Sequence, residues 1–156
     1  MILHLFEWLG RTPVGVFMQQ STYAFAVVEM VHLLSLAILG GAILIVDLRV
    51  LGLGLKIQSV ARLARELRPC LITSLLVSIV SGVLLLSEEP MKCYYNPAFR
   101  LKMLFLALAI LFYFGIQQRL FQSEPQARAF LAKSAGFVSL LLWLAVGLAG
   151  RAIGII

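Results

Sequence analysis

The feature that most constrains the fold is an almost uninterrupted apolar run from Tyr23 to Val46, which carries Glu29 and His32 in its first half. As an α-helix this run would extend about 36 Å, and the hydrocarbon core of a bilayer is about 30 Å thick. The run therefore predicts a membrane-spanning helix. Glu29 and His32 are three residues apart and so share a helix face, and an ionisable pair at that depth is expected to face inward because lipid solvates charge poorly.

Three further apolar runs predict three more spans. Apolar residues make up 62% of the 156-residue chain, well above the share in soluble domains. We therefore expect an all-α membrane protein, a bundle of four transmembrane helices in residues 21–156 that follows an interfacial amphipathic segment at residues 1–20. Pro69 is expected to start the second membrane helix, after a separate basic helix that opens at Ser59. The spans are expected at residues 23–46, 70–87, 101–118 and 134–156.

Small residues at helical spacing predict where these helices approach each other closely. A small residue recurs at every fourth position of the second span, and a GxxxG spacing ends the fourth. The residues expected at helix contacts are Gly40, Gly41, Ser74, Ser78, Gly82, Gly150 and Gly154.

The distribution of Lys and Arg predicts the orientation. Eight of the 13 basic residues fall in the first and third connections, Arg49, Lys56, Arg62, Arg65, Arg68, Arg119, Arg128 and Lys133, and five fall on the other side, Arg11, Lys92, Arg100, Lys102 and Arg151. The side with more positive charge is expected to face the cytoplasm. Both termini are then expected in the periplasm of a bacterium, with the protein in the inner membrane. No basic stripe interleaved with aromatic residues lies outside the apolar runs, so nucleic acid is not an expected partner.

Several short motifs resemble those of known membrane proteins. The motifs are His32-Leu33-Leu34, Gly40-Gly41, Val46-Asp47-Leu48-Arg49, Ser81-Gly82-Val83-Leu84-Leu85 and Asn96-Pro97-Ala98-Phe99-Arg100-Leu101-Lys102. They resemble a group of uncharacterised four-helix bacterial membrane proteins and, more distantly, the membrane domain of CopD-type copper proteins. The resemblance implies a copper-handling or redox function and places it on His32, Gly40, Gly41 and Lys102.

Copper is the first function predicted for the Glu29 and His32 pair. Cu(I) favours thioether and thiolate ligands beside imidazole. Met91 and Cys93 lie in the connection between the second and third spans and are the candidate partners. The expected metal site is therefore His32 and Glu29 in the outer half of the membrane, with Met91 and Cys93 as an outer acceptor.

Haem b is the second function predicted from the same histidine. His32 would be an axial ligand, and the second ligand would come from His4 or from His32 of a second copy in a homodimer. Three basic residues near the outer end of the bundle would neutralise the haem propionates: Arg100, Lys102 and Arg151.

Two further readings stay open. Arg151 or Arg100 could pair with Glu29 while His32 bonds Ser35 or a backbone carbonyl, which would make the polar residues purely structural. The chain could also be an accessory subunit of a larger membrane complex. No Ser-His-Asp set, HExxH motif or carboxylate pair is present, so an enzyme is not the favoured expectation.

Overall fold

The computed structural model describes residues 2–53, 59–117, 119 and 129–153, and the regular structure in these ranges is helical. Five of the helices begin at a side-chain cap or a proline: those that start at Pro13, Thr22, Val60, Pro90 and Pro97. The elements are α1 (Ile2–Arg11), α2 (Pro13–Gln20), α3 (Thr22–Val50), α4 (Val60–Leu86), α5 (Pro90–Tyr95), α6 (Pro97–Phe112), a π-helical turn (Tyr113–Gln117) and α7 (Ala129–Ile153).

Four segments of the described chain are long and apolar enough to cross a membrane: Thr22–Val50, Val60–Leu86, Pro97–Gln117 and Phe130–Ile153. Their outward faces expose large apolar side chains, including Leu34, Leu104 and Leu144. A surface of this kind suits lipid contact, because lipid does not penalise exposed apolar atoms as water does. The predicted all-α four-helix membrane protein is confirmed.

The bundle consists of two helix pairs that share one seam. α3 packs along α4, α6 packs along α7, and the contact between α3 and α7 joins the pairs. On α3 the inward positions recur every three or four residues, as they must on one face of an α-helix. The central apolar cluster comprises Leu39, Ala42, Ile43, Leu71, Leu75 and Tyr113, with Ile110 and Trp143 packed against it.

Three short helices, α1, α2 and α5, lie at one end of the bundle, which we call the capped end. Thr12 caps α2, since its hydroxyl accepts a hydrogen bond from the Gly15 amide at 3.1 Å. The Phe6 ring of α1 packs edge-on against Tyr94, with 5.4 Å between ring centroids. Gln19 ties α2 to the end of α4 by donating to the Ser87 carbonyl at 3.2 Å. The first turns of α3 and α6 also lie at the capped end.

The second span begins earlier than predicted. α4 runs without a break from Val60 and carries Pro69 inside it, so the expectation of a separate basic helix and a new start at Pro69 is wrong. Proline lacks an amide hydrogen and leaves the Arg65 carbonyl without its helical donor. Arg65 and Pro69 are both exposed, so solvent or a lipid headgroup can supply that donor. α7 likewise begins at Ala129, five residues before the predicted boundary.

The glycines have different packing roles from those predicted. A Cβ atom added at Gly40 or Gly41 would meet nothing within 4 Å, so these two glycines do not mark a helix contact. They lie beside the inward stripe of α3 rather than on it. Gly136 of α7 is the close contact instead, because a Cβ there would lie 3.3 Å from Val50 Cγ1 and 3.5 Å from the Asp47 carbonyl oxygen. The prediction for Gly154 lies outside the described residues.

Candidate functional site

His32 lies on the inward stripe of α3, facing α4. Its side chain is 8% exposed, and Nδ1 is 2.9 Å from Ser81 Oγ. The same helix stripe continues through Ser35, whose hydroxyl donates to the His32 carbonyl at 2.8 Å. The predicted alternative in which the His32 ring bonds Ser35 is wrong, because the hydroxyl within hydrogen-bond distance of Nδ1 is that of Ser81 on α4. The ring instead bridges the first and second spans.

The hydrogen bonds around Ser81 determine which nitrogen of His32 carries the proton. The Ser81 hydroxyl donates to the Val77 carbonyl at 2.6 Å, and a hydroxyl has one hydrogen to donate. Ser81 Oγ can then accept from Nδ1–H, and the ring also interacts with the backbone carbonyl of Ser78. In this tautomer of the neutral imidazole, Nε2 carries the lone pair. A ligating histidine has this arrangement, with one nitrogen oriented by a hydrogen bond and the other available.

Gly82 makes the approach of the His32 ring to α4 possible. A Cβ at this position would lie 3.2 Å from His32 Cε1 and 3.7 Å from Nδ1. Any side chain here would push the ring away from Ser81. The small residues Ser74, Ser78 and Gly82 do face the bundle interior, with both serines buried. A small residue is needed at position 82 because a side chain there would displace the His32 ring.

Lys102 of α6 is the nearest cation to His32. It is partly buried and acts electrostatically on both His32 and Cys93. Gly150 of α7 makes room for it, because a Cβ there would lie 3.6 Å from Lys102 Nζ. The ion pairs among the described residues are His4–Glu7, Arg62–Glu66 and Lys92–Glu89, so no described carboxylate pairs with Lys102. The interior near His32 therefore carries positive charge.

The structure does not bring Glu29 together with His32. Glu29 is exposed, whereas the prediction required it to face inward. Three residues along an α-helix leave two side chains about 60° apart, so only one of them can occupy the centre of the buried stripe. That position belongs to His32. The prediction of a buried Glu29 is corrected accordingly.

The connection between α4 and α6 does not form a soft-metal site with His32 in the described residues. Burial raises the pKa of the Cys93 thiol, with a smaller contribution from Glu89. Burial also raises the pKa of Glu88, with Glu89 and Glu29 adding like-charge repulsion. A raised thiol pKa disfavours the thiolate, which is the form that binds metal. Met91 is partly exposed on α5, and in the part of the chain that the structure describes no three His, Cys, Asp or Glu side chains group together.

Of the residues predicted to hold haem, the structure places only His32 and Lys102 near each other. His4 is exposed on α1 and lies 3.6 Å from Glu7. Arg100 is used at the capped end, where Nε donates to the Tyr94 carbonyl at 3.0 Å and the guanidinium lies over the Tyr94 ring. Arg151 is exposed near the end of α7. His32 faces the inside of the bundle, against Ser81 of α4.

A second buried polar group, which sequence reasoning missed, lies about 22 Å farther along α3. Asp47 is 0% exposed and accepts a hydrogen bond from Gln117 Nε2 at 2.5 Å. Ser139 of α7 lies against the same carboxylate. The signal was present, because Leu39, Ile43 and Asp47 recur at every fourth residue on the inward stripe. The first span is predicted to end at residue 46, which leaves Asp47 just outside it.

Comparisons with known proteins identify a family. A family model described as "Family of unknown function (DUF6644)" matches residues 5–156. The matched range includes His32, Lys102 and Asp47 and leaves out His4. No curated protein and no solved structure matches the chain.

Proposed function

The chain belongs to the family of unknown function DUF6644, and on that premise we propose that it is a membrane protein that binds b-type haem with His32 as an axial ligand. The observation that carries this proposal is the buried imidazole whose Nδ1 lies 2.9 Å from Ser81 Oγ, which makes Nε2 the candidate ligand atom. The porphyrin supplies four nitrogens to the iron, so the protein has to supply only one or two ligands. One buried histidine is sufficient.

Lys102 supports a ligand that carries negative charge. A cation without a described partner is costly inside a membrane protein, and a carboxylate brought by the ligand would offset that cost. Haem brings two propionates. Lys102 would hold one of them, since its ammonium is near enough to His32 to act on it electrostatically.

An apolar groove beside Ser81 supports an apolar ligand. It has a volume of about 320 Å³ and follows the α3–α4 contact, with Val27, Val31, Leu76 and Val80 among its walls. A second groove of about 460 Å³ adjoins it and shares Val31 and Val77. The serine that orients His32 therefore borders an apolar surface on which a porphyrin edge can rest.

Copper at His32 stays a prediction with less support from the geometry. A Cu(I) ion would be close to the Lys102 ammonium, and like charges repel strongly at low dielectric. The Glu29 carboxylate, which was expected to offset this charge, is exposed. A dedicated copper site also needs several protein ligands, and in the described ranges His32 has no such group around it.

The absorption spectrum and the metal content of the purified protein test the proposal. We expect a Soret band that shifts when dithionite is added, together with iron in proportion to haem. One copper per chain without a Soret band would overturn the haem proposal and support the copper prediction. A colourless protein that binds neither haem nor copper would overturn both and leave the role of an accessory subunit.

Ser81 is expected to act as a positioning residue for His32. We predict that Ser81→Ala weakens haem binding about 10 to 100-fold while leaving the helical content unchanged, because the imidazole loses the bond that orients it. Haem titration followed at the Soret band gives the affinity. Ser74→Ala is the matched control, since Ser74 also donates to the carbonyl four residues earlier, that of Cys70, and is likewise buried on α4. Equal affinities for the two variants would contradict the positioning role.

We propose that both termini face the periplasm of a bacterial inner membrane, which puts His32 in the outer half. Single cysteines in a background without Cys70 and Cys93 test the orientation. Tyr95→Cys on α5 is expected to react with a membrane-impermeant maleimide in intact cells, and Leu53→Cys only after permeabilisation; both positions are exposed. The reverse pattern would contradict the orientation drawn from the basic residues.

A further inference from the structure

Asp47, Gln117 and Ser139 form a buried oxygen cluster contributed by three different membrane segments. All three side chains are at most 1% exposed. The Gln117 amide donates to Asp47 Oδ1 at 2.5 Å, and Ser139 lies against the same carboxyl group. The cluster is at the opposite end of α3 from His32 and is independent of the proposed haem site.

The π-helical turn puts Gln117 into this cluster. The inward positions of the third span are Ala109, Tyr113 and Gln117, each four residues after the last. In a regular α-helix, residues four apart drift by about 40° around the axis, so a stripe with this spacing turns away from the interior. The wider π turn at Tyr113–Gln117 offsets the drift. Turns of this type are frequent at functional sites because they aim a side chain that a regular helix would not.

The cluster contains more acceptors than donors. Among the described residues, Gln117 Oε1 is a buried acceptor with no hydrogen-bond partner, and Asp47 Oδ2 and Ser139 Oγ are buried with no partner beyond their interaction with each other. A hydroxyl can donate one hydrogen, but a carboxylate oxygen and an amide oxygen only accept. Buried acceptors without a donor are costly, and this cost is larger when one of them is a carboxylate. A positively charged ligand between these atoms would remove it.

No ion pair to Asp47 is among those formed within the described residues. Tyr113 interacts electrostatically with both Asp47 and Arg68, which is an exposed residue of α4. Arg49 is on the same helix as Asp47, two residues farther along. On α7, Gly136 lets that helix approach the Asp47 backbone, and it contributes no charge. A single carboxylate within this set balances one positive charge, so a monovalent cation fits and a divalent one does not.

We propose that Asp47, Gln117 and Ser139 form a binding site for one monovalent cation, either a proton or Na⁺. Both ions satisfy the same chemistry, a single positive charge on a carboxylate with hydroxyl and amide oxygens beside it. In membrane proteins such sites couple ion binding to the arrangement of the helices that contribute the ligands. Here the ligands come from α3, the π turn and α7, and the site therefore joins the two helix pairs.

Thermal unfolding of the purified full-length protein tests the site. For Na⁺ as the ligand, we expect the midpoint to rise as NaCl replaces choline chloride at constant ionic strength, and this rise to be lost in Asp47→Asn and in Ser139→Ala. Ser134→Ala is the matched control, because Ser134 is also on α7, is exposed, and donates only to its own helix at Phe130. It should keep the full response.

Infrared difference spectroscopy separates the proton from Na⁺. If the ligand is a proton, the wild type shows the carbonyl band of a protonated carboxylic acid that Asp47→Asn lacks, and lowering the pH raises the midpoint of the wild type relative to Asp47→Asn. If it is Na⁺, adding the salt changes the spectrum and the midpoint together. The proposal is overturned if neither Na⁺ nor pH distinguishes the wild type from Asp47→Asn and Ser139→Ala, or if Ser134→Ala loses the response equally.

Discussion

Replacing His32 with alanine is expected to abolish haem binding. The variant removes the only buried imidazole of the described chain, whose ring is oriented by the contact between Nδ1 and Ser81. The void faces Gly82, so free imidazole can enter the space and restore part of the binding. The measurement is the haem content per protein after purification, with and without added imidazole.

His4→Ala is the matched control for this variant. It removes the other histidine of the chain, which is exposed and paired with Glu7 on α1. We expect His4→Ala to bind haem as the wild type does. If His32→Ala keeps its haem, or if His4→Ala loses it to the same extent, then His32 is not the axial ligand.

Replacing Gly136 with leucine is expected to separate the two helix pairs. The new side chain would start 3.3 Å from Val50 Cγ1 and 3.5 Å from the Asp47 carbonyl oxygen, with the α3 backbone behind them. Inserting atoms into a packed contact typically costs about 1–3 kcal/mol of the free energy of unfolding. The measurement is thermal unfolding in detergent, followed by the fluorescence of Trp143, which packs against the central cluster.

Gly147→Leu provides the comparison for Gly136→Leu. Gly147 is on the same helix, is exposed, and has nothing within 4 Å of its added Cβ. Both variants gain the same helix propensity from replacing glycine, so the difference between them isolates the contact with α3. Similar midpoints for the two variants would show that the seam between α3 and α7 tolerates a larger side chain.

The number of spans and the role of His32 as an inward residue could be predicted because both depend on local properties. Apolar length predicts a membrane helix, and the helical period predicts which residues share a face. The partner of His32 could not be predicted in this way. Ser81 is 49 positions away in sequence, and its pairing with His32 depends on the register in which α3 and α4 pack.

Glu29 and Asp47 show where sequence reasoning fails for acidic residues in membranes. Glu29 was assigned to the site because of its depth and its nearness to a histidine, yet it is exposed at the edge of the helix face. Asp47 was assigned to a boundary because of its position after the apolar run, yet it is completely buried. The helix continues to Val50, one turn beyond the predicted end, and that extra turn carries Asp47 into the bundle.

Because Gln117 lies in the π-helical turn at Tyr113–Gln117, a change confined to this turn could separate Gln117 from Asp47 in the buried oxygen cluster without moving a whole helix. Reversion of these five residues to α-helical hydrogen bonding would rotate Gln117 away from Asp47, while Leu39 and its neighbours held α3 in place. The change would exchange a few backbone hydrogen bonds and would also move Tyr113, which belongs to the central apolar cluster. The position of Gln117 therefore depends on the conformation of five residues, whereas the position of His32 depends on the contact between two long helices, α3 and α4.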